Sequence, residues 1–143
     1  MANYWLIKSE PASYSWADLL RDKETVWNGV RNHRAKANLI KMQVGDQAFF
    51  YHSVNGKEIV GIVEISVAGI TDPTDPEGKW AAVKVRPVRA FERFVTLAEI
   101  KADPKLSDME LVRLSRLSVA EVTADEWAYI CDIGMEAAEP SVD

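Results

Sequence analysis

Cysteine and histidine are scarce in this sequence, which contains one cysteine, Cys131, and two histidines, His33 and His52. A single cysteine cannot form a disulfide within the chain, and two histidines provide little material for a zinc site. The chain also lacks a Gly-x-Ser-x-Gly turn, a Cys-x-x-Cys pair and the glycine-rich loops that hold nucleotide phosphates. We therefore expect no metal, no cofactor and no enzymatic activity, and we interpret Cys131 as a packing residue.

Long hydrophobic runs are missing as well, since no apolar stretch approaches the roughly 20 residues of a membrane helix. The first residues lack the basic and apolar regions of a secretory signal. These absences predict a cytoplasmic protein that does not use a membrane. With 143 residues, 48% of them hydrophobic, the chain should form a single domain over residues 1–143. Residues after about 136 are expected to form a flexible tail.

Acidic residues are absent from residues 25–45, although the whole chain carries a formal net charge of −5. This interval contains an aromatic residue, amides and four cations, namely Trp27, Asn28, Asn32, Arg31, Arg34, Lys36 and Lys41. A local excess of one charge often reflects what a surface binds, so the interval predicts a binding edge. The alternative, that the cations only keep a helix face solvated, is equally compatible with the sequence.

Aromatic and β-branched runs between turn residues predict a sheet. Residues 4–8 and 47–53 are typical of buried strands, and Asn55-Gly56 indicates a hairpin that leads into a strand over residues 58–67. A further strand is expected within residues 79–94, where Pro87 cannot donate to a neighbour and should cause a bend or bulge. These segments predict an α+β fold with a curved, mostly antiparallel sheet or a small barrel.

Short helices are predicted between and after the strands. Ser15 should cap one helix through Leu20, and another should run from about Asn32 to Met42 with Asn38 turned toward solvent or a ligand. Capping boxes at the starts of three further helices are indicated at Thr96–Glu99, Ser107–Glu110 and Thr123–Glu126.

Polar groups follow the ends of three apolar segments, at residues 8–10, 51–53 and 116–118. If these ends converge, they form a pocket in which a few donors and acceptors orient a ligand. Trp27 is compatible with either a pocket wall or the core. Asp46, after Gly45, is interpreted as a turn residue.

Several ordered motifs carry a resemblance to a known family: Tyr4-Trp5-Leu6, Lys8-Ser9-Glu10-Pro11, Trp27 with Gly29-Val30-Arg31-Asn32, Gly45-Asp46, Phe50-Tyr51-His52-Ser53 and Arg116-Leu117-Ser118-Val119. On these motifs, which span almost the whole chain, the sequence resembles the EVE domain of the PUA-like superfamily, a relative of YTH domains. The resemblance implies a PUA-like bent β-barrel flanked by short helices. It also implies a non-catalytic partner for DNA or RNA that carries a modified base.

The same resemblance implies which residues form the site. The expected base pocket consists of Lys8, Ser9, Glu10, Trp27, Val30, Arg31, Asn32, Tyr51, His52, Ser53 and Ser118. The nucleic-acid backbone is expected to contact Arg34, Lys36, Lys41 and Arg116.

A binding mechanism follows as a hypothesis: a base leaves its stack and enters the pocket. Stacking on an aromatic ring supplies roughly 1 to 3 kcal/mol, which nearly cancels the few kcal/mol that flipping costs. Net affinity must then come from hydrogen bonds to the base edge and from phosphate contacts. The main alternative is a pocket for a free planar molecule such as a nucleoside, and a hydrolase or nuclease is a third possibility.

Overall fold

The computed structural model describes residues 3–135, and the tail expected after about residue 136 lies outside the described residues. The elements follow one another as β1 (Tyr4–Ser9), α1 (Trp16–Asp22), β2 (Thr25–Trp27), α2 (His33–Lys41), β3 (Gln47–His52), β4 (Glu58–Thr71), β5 (Ala81–Thr96), α3 (Leu97–Ala102), α4 (Glu110–Arg113), β6 (Val119–Val122) and α5 (Ala124–Gly134). Within these residues, none of the helices has the length and apolar character needed to cross a membrane.

All six strands belong to one sheet, in the order β2-β5-β4-β3-β1-β6. β1 and β3 run parallel to each other, and the other neighbouring pairs are antiparallel. The predicted α+β class and mostly antiparallel sheet are therefore confirmed. In residues 3–135 no ladder joins β2 to β6, so the sheet is open, and the barrel stays a prediction.

The sheet is irregular where the sequence places a proline. Val63 pairs with Pro87 while the preceding Ile62 pairs with Arg89, so one residue of β5 is left without a partner. Because proline has no N–H to donate, the ladder is interrupted there, and the predicted bulge is confirmed. The hairpin at Asn55-Gly56 is also confirmed, with Gly56 at a φ of +93°.

The core lies between the sheet and the helices and is rich in aromatic rings. Trp127 of α5 stacks on Phe49 with ring centroids 4.0 Å apart. Trp5 is buried, and its indole N–H donates to Asp46 Oδ2 at 3.1 Å. The same oxygen of Asp46 accepts from Gln43 N at 3.0 Å. Asp46, expected only to form a turn, therefore also satisfies the buried indole donor of Trp5 in the core.

The predicted cap at Ser15 and the predicted capping boxes at the starts of α3 and α5 are confirmed, and all three helices begin with reciprocal bonds, between Ser15 and Asp18, Thr96 and Glu99, and Thr123 and Glu126. The box predicted at Ser107 is wrong. α4 begins at Glu110, its N-cap residue Met109 makes no side-chain capping bond, and the Ser107 hydroxyl instead donates to Pro104 O at 3.2 Å.

α2 matches its predicted extent, but one of its side chains faces the other way. Asn38 is 3% exposed, and its Nδ2 donates to Val119 O at 2.7 Å. The expectation that Asn38 points toward solvent or a ligand is therefore wrong. A side-chain amide can satisfy a free carbonyl of the edge strand β6, and this bond fixes α2 to the sheet.

Candidate functional site

A cavity of about 470 Å³ lies where β1 and β2 end and β6 begins; we call it the first cavity. Its wall contains seven of the predicted pocket residues, namely Lys8, Ser9, Glu10, Trp27, Val30, Arg31 and Ser118. Six further residues complete it, namely Ser13, Tyr14, Thr25, Val26, Asn28 and Gly29. The end of β1 and the segment before β6, whose convergence the sequence left open, therefore meet at this cavity.

Backbone hydrogen bonds bring these distant segments together. Lys8 N donates to Ser118 O at 3.0 Å, which joins the end of β1 to the segment before β6. The Ser9 hydroxyl donates to the Tyr14 carbonyl and holds the loop that leads into α1. As a hydroxyl, Ser9 Oγ keeps lone pairs that can accept from a ligand.

Trp27 ends β2 and belongs to both the cavity wall and the core. Its ring meets Tyr14 and Phe50 edge to face, with centroid separations of 6.4 Å and 5.6 Å. Only 9% of the residue is exposed. Both interpretations left open by the sequence therefore apply, and the ring is held rigidly beside the cavity.

The loop after Trp27 is held by a carboxylate that sequence reasoning missed. Asp72 Oδ2 accepts from Gly29 N at 2.7 Å and from Arg31 Nη1 at 3.0 Å. Asp72 Oδ1 accepts from both the backbone N and the hydroxyl of Thr74, each at 2.7 Å. Gly29 has a φ of +79°, a backbone conformation that glycine adopts without strain.

These bonds also set the charge state of Asp72. Burial favours the neutral acid, but hydrogen bonds from Thr74, Gly29 and Arg31 outweigh it and hold the pKa of Asp72 well below its usual range. The buried carboxylate is therefore ionised, and it fixes both the backbone of the loop and the direction of the Arg31 side chain. The only sequence signal was the turn-forming run Asp72-Pro73-Thr74, which indicates a loop without revealing its partner.

Four predicted pocket residues do not line the first cavity. Asn32 caps α2, with Oδ1 accepting from Ala35 N at 2.9 Å. His52 Nε2 accepts from Trp16 N at 3.0 Å at the start of α1, and burial lowers the pKa of His52.

Tyr51 and Ser53 line a separate cavity of about 300 Å³, which we call the second cavity. The register of β3 against β4 shifts between Phe50 and Tyr51, so the alternation expected for a regular strand does not apply there.

The four cations predicted to contact the nucleic-acid backbone are dispersed in the structure. Arg34 is ion-paired with Glu110 at 3.0 Å, and Lys41 lies in the last turn of α2. Arg116 lines a groove of about 310 Å³ together with Arg34 and Asn32. They therefore do not form a single strip along α2.

Lys36 belongs to a cluster around Trp80. Its ammonium lies 5.4 Å from the centre of the Trp80 ring, and the Arg31 guanidinium lies 5.5 Å from it. His33 stacks on the same ring with centroids 5.0 Å apart. Trp80 is half-buried, so this cluster lies at the surface near the Arg31 side of the first cavity.

The sequence model of the EVE domain matches residues 3–133. The chain belongs to the EVE domain family. A protein of Rhodopseudomonas palustris, solved by NMR, is 47% identical with a TM-score of 0.89, and 93% of each chain is covered. Human thymocyte nuclear protein 1 is 34% identical over 99% of this chain and 77% of that protein.

Two solved complexes share the fold of this EVE domain. Human thymocyte nuclear protein 1 in complex with DNA containing 5-methylcytosine has a TM-score of 0.85 and 32% identity, covering 93% of this chain and 98% of that chain. The YTH domain of Zygosaccharomyces rouxii MRB1, in complex with N6-methyladenosine RNA, has a TM-score of 0.62, covers 99% and 90% of the two chains, and is 20% identical. The predicted relationship to YTH domains is therefore confirmed at the level of the fold.

Proposed function

We propose that this EVE domain is a non-catalytic module that accepts a flipped, modified base of DNA or RNA in the first cavity. The observation that carries the proposal is the cavity itself, about 470 Å³, whose wall combines Trp27 with polar strand ends. The complex of the human relative with DNA containing 5-methylcytosine supports the choice of ligand class.

Hydrogen bonds to the base edge must contribute most of the selectivity. One extra methyl group contributes only about 0.8 kcal/mol when buried, which corresponds to roughly a fourfold preference. Trp27 is largely buried by Tyr14 and Phe50, so its contact with a base covers only part of the ring. A site whose polar groups are left unpaired by the wrong base discriminates more strongly than an apolar surface does.

Glu10 and Asn28 are suited to that recognition because both are exposed at the cavity wall. A carboxylate accepts from an exocyclic amino group such as N4 of cytosine, and an amide both donates and accepts. Glu10 is therefore assigned to an amino edge. Glu10→Gln should weaken binding of amino-bearing bases most, because the amide lacks the charge of the carboxylate.

The test is a binding panel of matched oligonucleotides that carry cytosine, 5-methylcytosine, adenine or N6-methyladenosine, in DNA and RNA. At least one modified oligonucleotide is expected to bind more tightly than its unmodified counterpart. Equal affinity for every modified and unmodified pair would contradict the proposal. Free nucleosides are measured in parallel by thermal shift.

A pocket for a free nucleoside or similar planar molecule is the second candidate. It is favoured by the ion pairs that occupy Arg31 and Arg34, in a chain whose formal net charge is −5. Thermal stabilisation by nucleosides without detectable oligonucleotide binding would support it. The cytoplasmic location expected from the sequence stays a prediction.

A further inference from the structure

The second cavity adjoins the first at Lys8, which lines both. Its wall brings together the turn after β3, the start of α3 and the loop after α4. The polar groups in this wall are Lys8, Lys57, Lys101, Tyr51, Ser53 and Ser115. The sequence-based prediction placed Tyr51 and Ser53 in the base pocket instead, and it assigned no role to Lys57 or Lys101.

The charge of this wall sets it apart from the rest of the molecule. It contains three lysines and neither aspartate nor glutamate, whereas the chain has 22 acidic and 17 basic residues. None of these lysines forms an ion pair within residues 3–135. By contrast, Arg31 and Arg34, at the first cavity and the groove, are each paired with a carboxylate. Three unpaired ammonium groups around one cavity favour an anionic occupant.

Lys8 connects the charge of this wall to the fold. Its ammonium donates to Ser115 O at 2.8 Å and lies 5.8 Å from the centre of the Tyr51 ring. This bond orients the side chain of a residue that lines both cavities. Lys57 and Lys101 are exposed, so their ammonium groups are free to move toward a ligand.

The remaining polar groups are donors. Burial raises the pKa of the Tyr51 hydroxyl, with a smaller contribution from Glu58, so this group stays protonated near neutral pH. The hydroxyls of Ser53 and Ser115 can donate as well. The second cavity thus combines positive charge with neutral donors, which is the chemistry that recognises a phosphate group.

We propose that the second cavity is a phosphate site, and that it takes a phosphate of the nucleic-acid strand whose base occupies the first cavity. The assignment to a strand rests on the proposed function and on Lys8, which lines both cavities and so makes them neighbours. A free phosphate compound has the same chemistry and is the other possible source of the ligand.

A charge-matched pair of double variants tests the site. Lys57→Gln with Lys101→Gln removes two of its lysines, and Lys23→Gln with Lys105→Gln removes two lysines that line neither cavity. The control also matches the backbone conformation at one of the two positions, because Lys23 and Lys57 both have a positive φ, of 68° and 48°. Both double variants lose two positive charges, and thermal unfolding checks that both remain folded.

The first readout is the salt dependence of binding to the tightest oligonucleotide of the panel. Each phosphate contact on a single strand contributes about 0.7 to the logarithmic salt slope. Because the site takes one phosphate, the slope is expected to fall by up to about 0.7 in the Lys57/Lys101 variant and to stay unchanged in the Lys23/Lys105 variant. Lys57→Arg with Lys101→Arg should keep most of the slope, because the charge remains.

The second readout is titration with inorganic pyrophosphate, followed by backbone amide shifts around residues 53–57. Shifts that disappear only in the Lys57/Lys101 variant support the phosphate site. If the shifts disappear only in that variant while the salt slope of oligonucleotide binding is unchanged, the site exists and its ligand is a free phosphate compound. Equal effects in both double variants, or no pyrophosphate shifts and no slope difference, would overturn the proposal. Absence of oligonucleotide binding by the wild type would refute the proposed function, while the pyrophosphate titration would still decide the phosphate site.

Discussion

Replacing Asp72 by asparagine should loosen one wall of the first cavity, because both of its carboxylate oxygens accept backbone hydrogen bonds. Oδ2 accepts from Gly29 N and Oδ1 from Thr74 N, each at 2.7 Å. An asparagine keeps only one of these oxygens, so one backbone N–H would face an NH2 group instead of an acceptor. The charge that holds Arg31 would be lost as well.

The size of the effect follows from these two losses. A buried donor without an acceptor costs about 1 to 3 kcal/mol. The Asp72 side chain is fully buried, but that of Arg31 is 41% exposed. Water therefore screens the pair, and its loss adds about 1 kcal/mol. The free energy of unfolding should fall by roughly 2 to 4 kcal/mol.

Urea unfolding at pH 7 measures the stability of Asp72→Asn, and the oligonucleotide panel measures its preference for a modified base. We expect both to decrease, because the loop that contains Gly29 and Arg31 loses its anchor. Asp75→Asn is the control, since among residues 3–135 the Asp75 side chain accepts only from N–H groups of its own loop, at Glu77, Lys79 and Trp80. Unchanged stability and preference in Asp72→Asn, or an equal loss of preference in Asp75→Asn, would refute this reasoning.

The pH dependence provides a second check on Asp72. Its folded-state pKa lies below the ordinary value of about 3.9, so its charge stabilises the fold above that value. This contribution decreases as the pH falls through about 4 toward the folded-state pKa. The stability difference between the wild type and Asp72→Asn should be constant from pH 7 to about 5 and shrink below pH 4. A difference that grows on acidification would contradict the assignment.

Three further predictions concern the site and its scaffold. Trp27→Ala should weaken binding of the tightest oligonucleotide of the panel, because stacking surface is lost, and lower the free energy of unfolding by about 3 kcal/mol, measured by the panel and by urea unfolding; a folded variant with wild-type affinity would contradict it. Arg116→Gln should lower the affinity for modified and unmodified oligonucleotides alike. Lys41→Gln removes a charge outside every cavity described above and should change either affinity less than about twofold. If both variants lowered the affinity equally, a continuous strip of cations along α2 would be favoured. Gly61→Ala should lower the free energy of unfolding by about 1 to 3 kcal/mol, because the added Cβ would lie 2.6 Å from the Trp16 ring, and an unchanged melting temperature would contradict this crowding.

The fold was largely predictable because its signals are local. The capping boxes at Ser15, Thr96 and Thr123 involve bonds between residues three apart, and the hairpin at Asn55-Gly56 depends on two turn residues. Asn38 was predicted wrongly because its partner, Val119 O, lies 81 positions away in the sequence. Helical spacing shows which face is polar, but it cannot show that a distant carbonyl needs a donor.

The site was less predictable for the same reason. The polar residues at the end of β1 and in the segment before β6 stand beside apolar runs, and this pattern singled them out in the sequence. In the structure they meet at the first cavity. His52 and Asn32 have equally suitable chemistry, yet they satisfy backbone donors at the starts of α1 and α2. Asp72 was missed, although it supports the site, because only its contacts with Gly29 and Arg31 distinguish it from an ordinary turn residue.

The bond between Lys8 N and Ser118 O has a consequence for the order of events during protein synthesis. Most of the wall of the first cavity is translated by residue 31, but Ser118 and β6 follow about 90 residues later. At about 5 to 20 residues per second, the ribosome needs roughly 4 to 20 seconds to supply them. During that interval the edge of β1 that later pairs with β6 is open. The wall of the first cavity is therefore complete only after translation has passed Ser118.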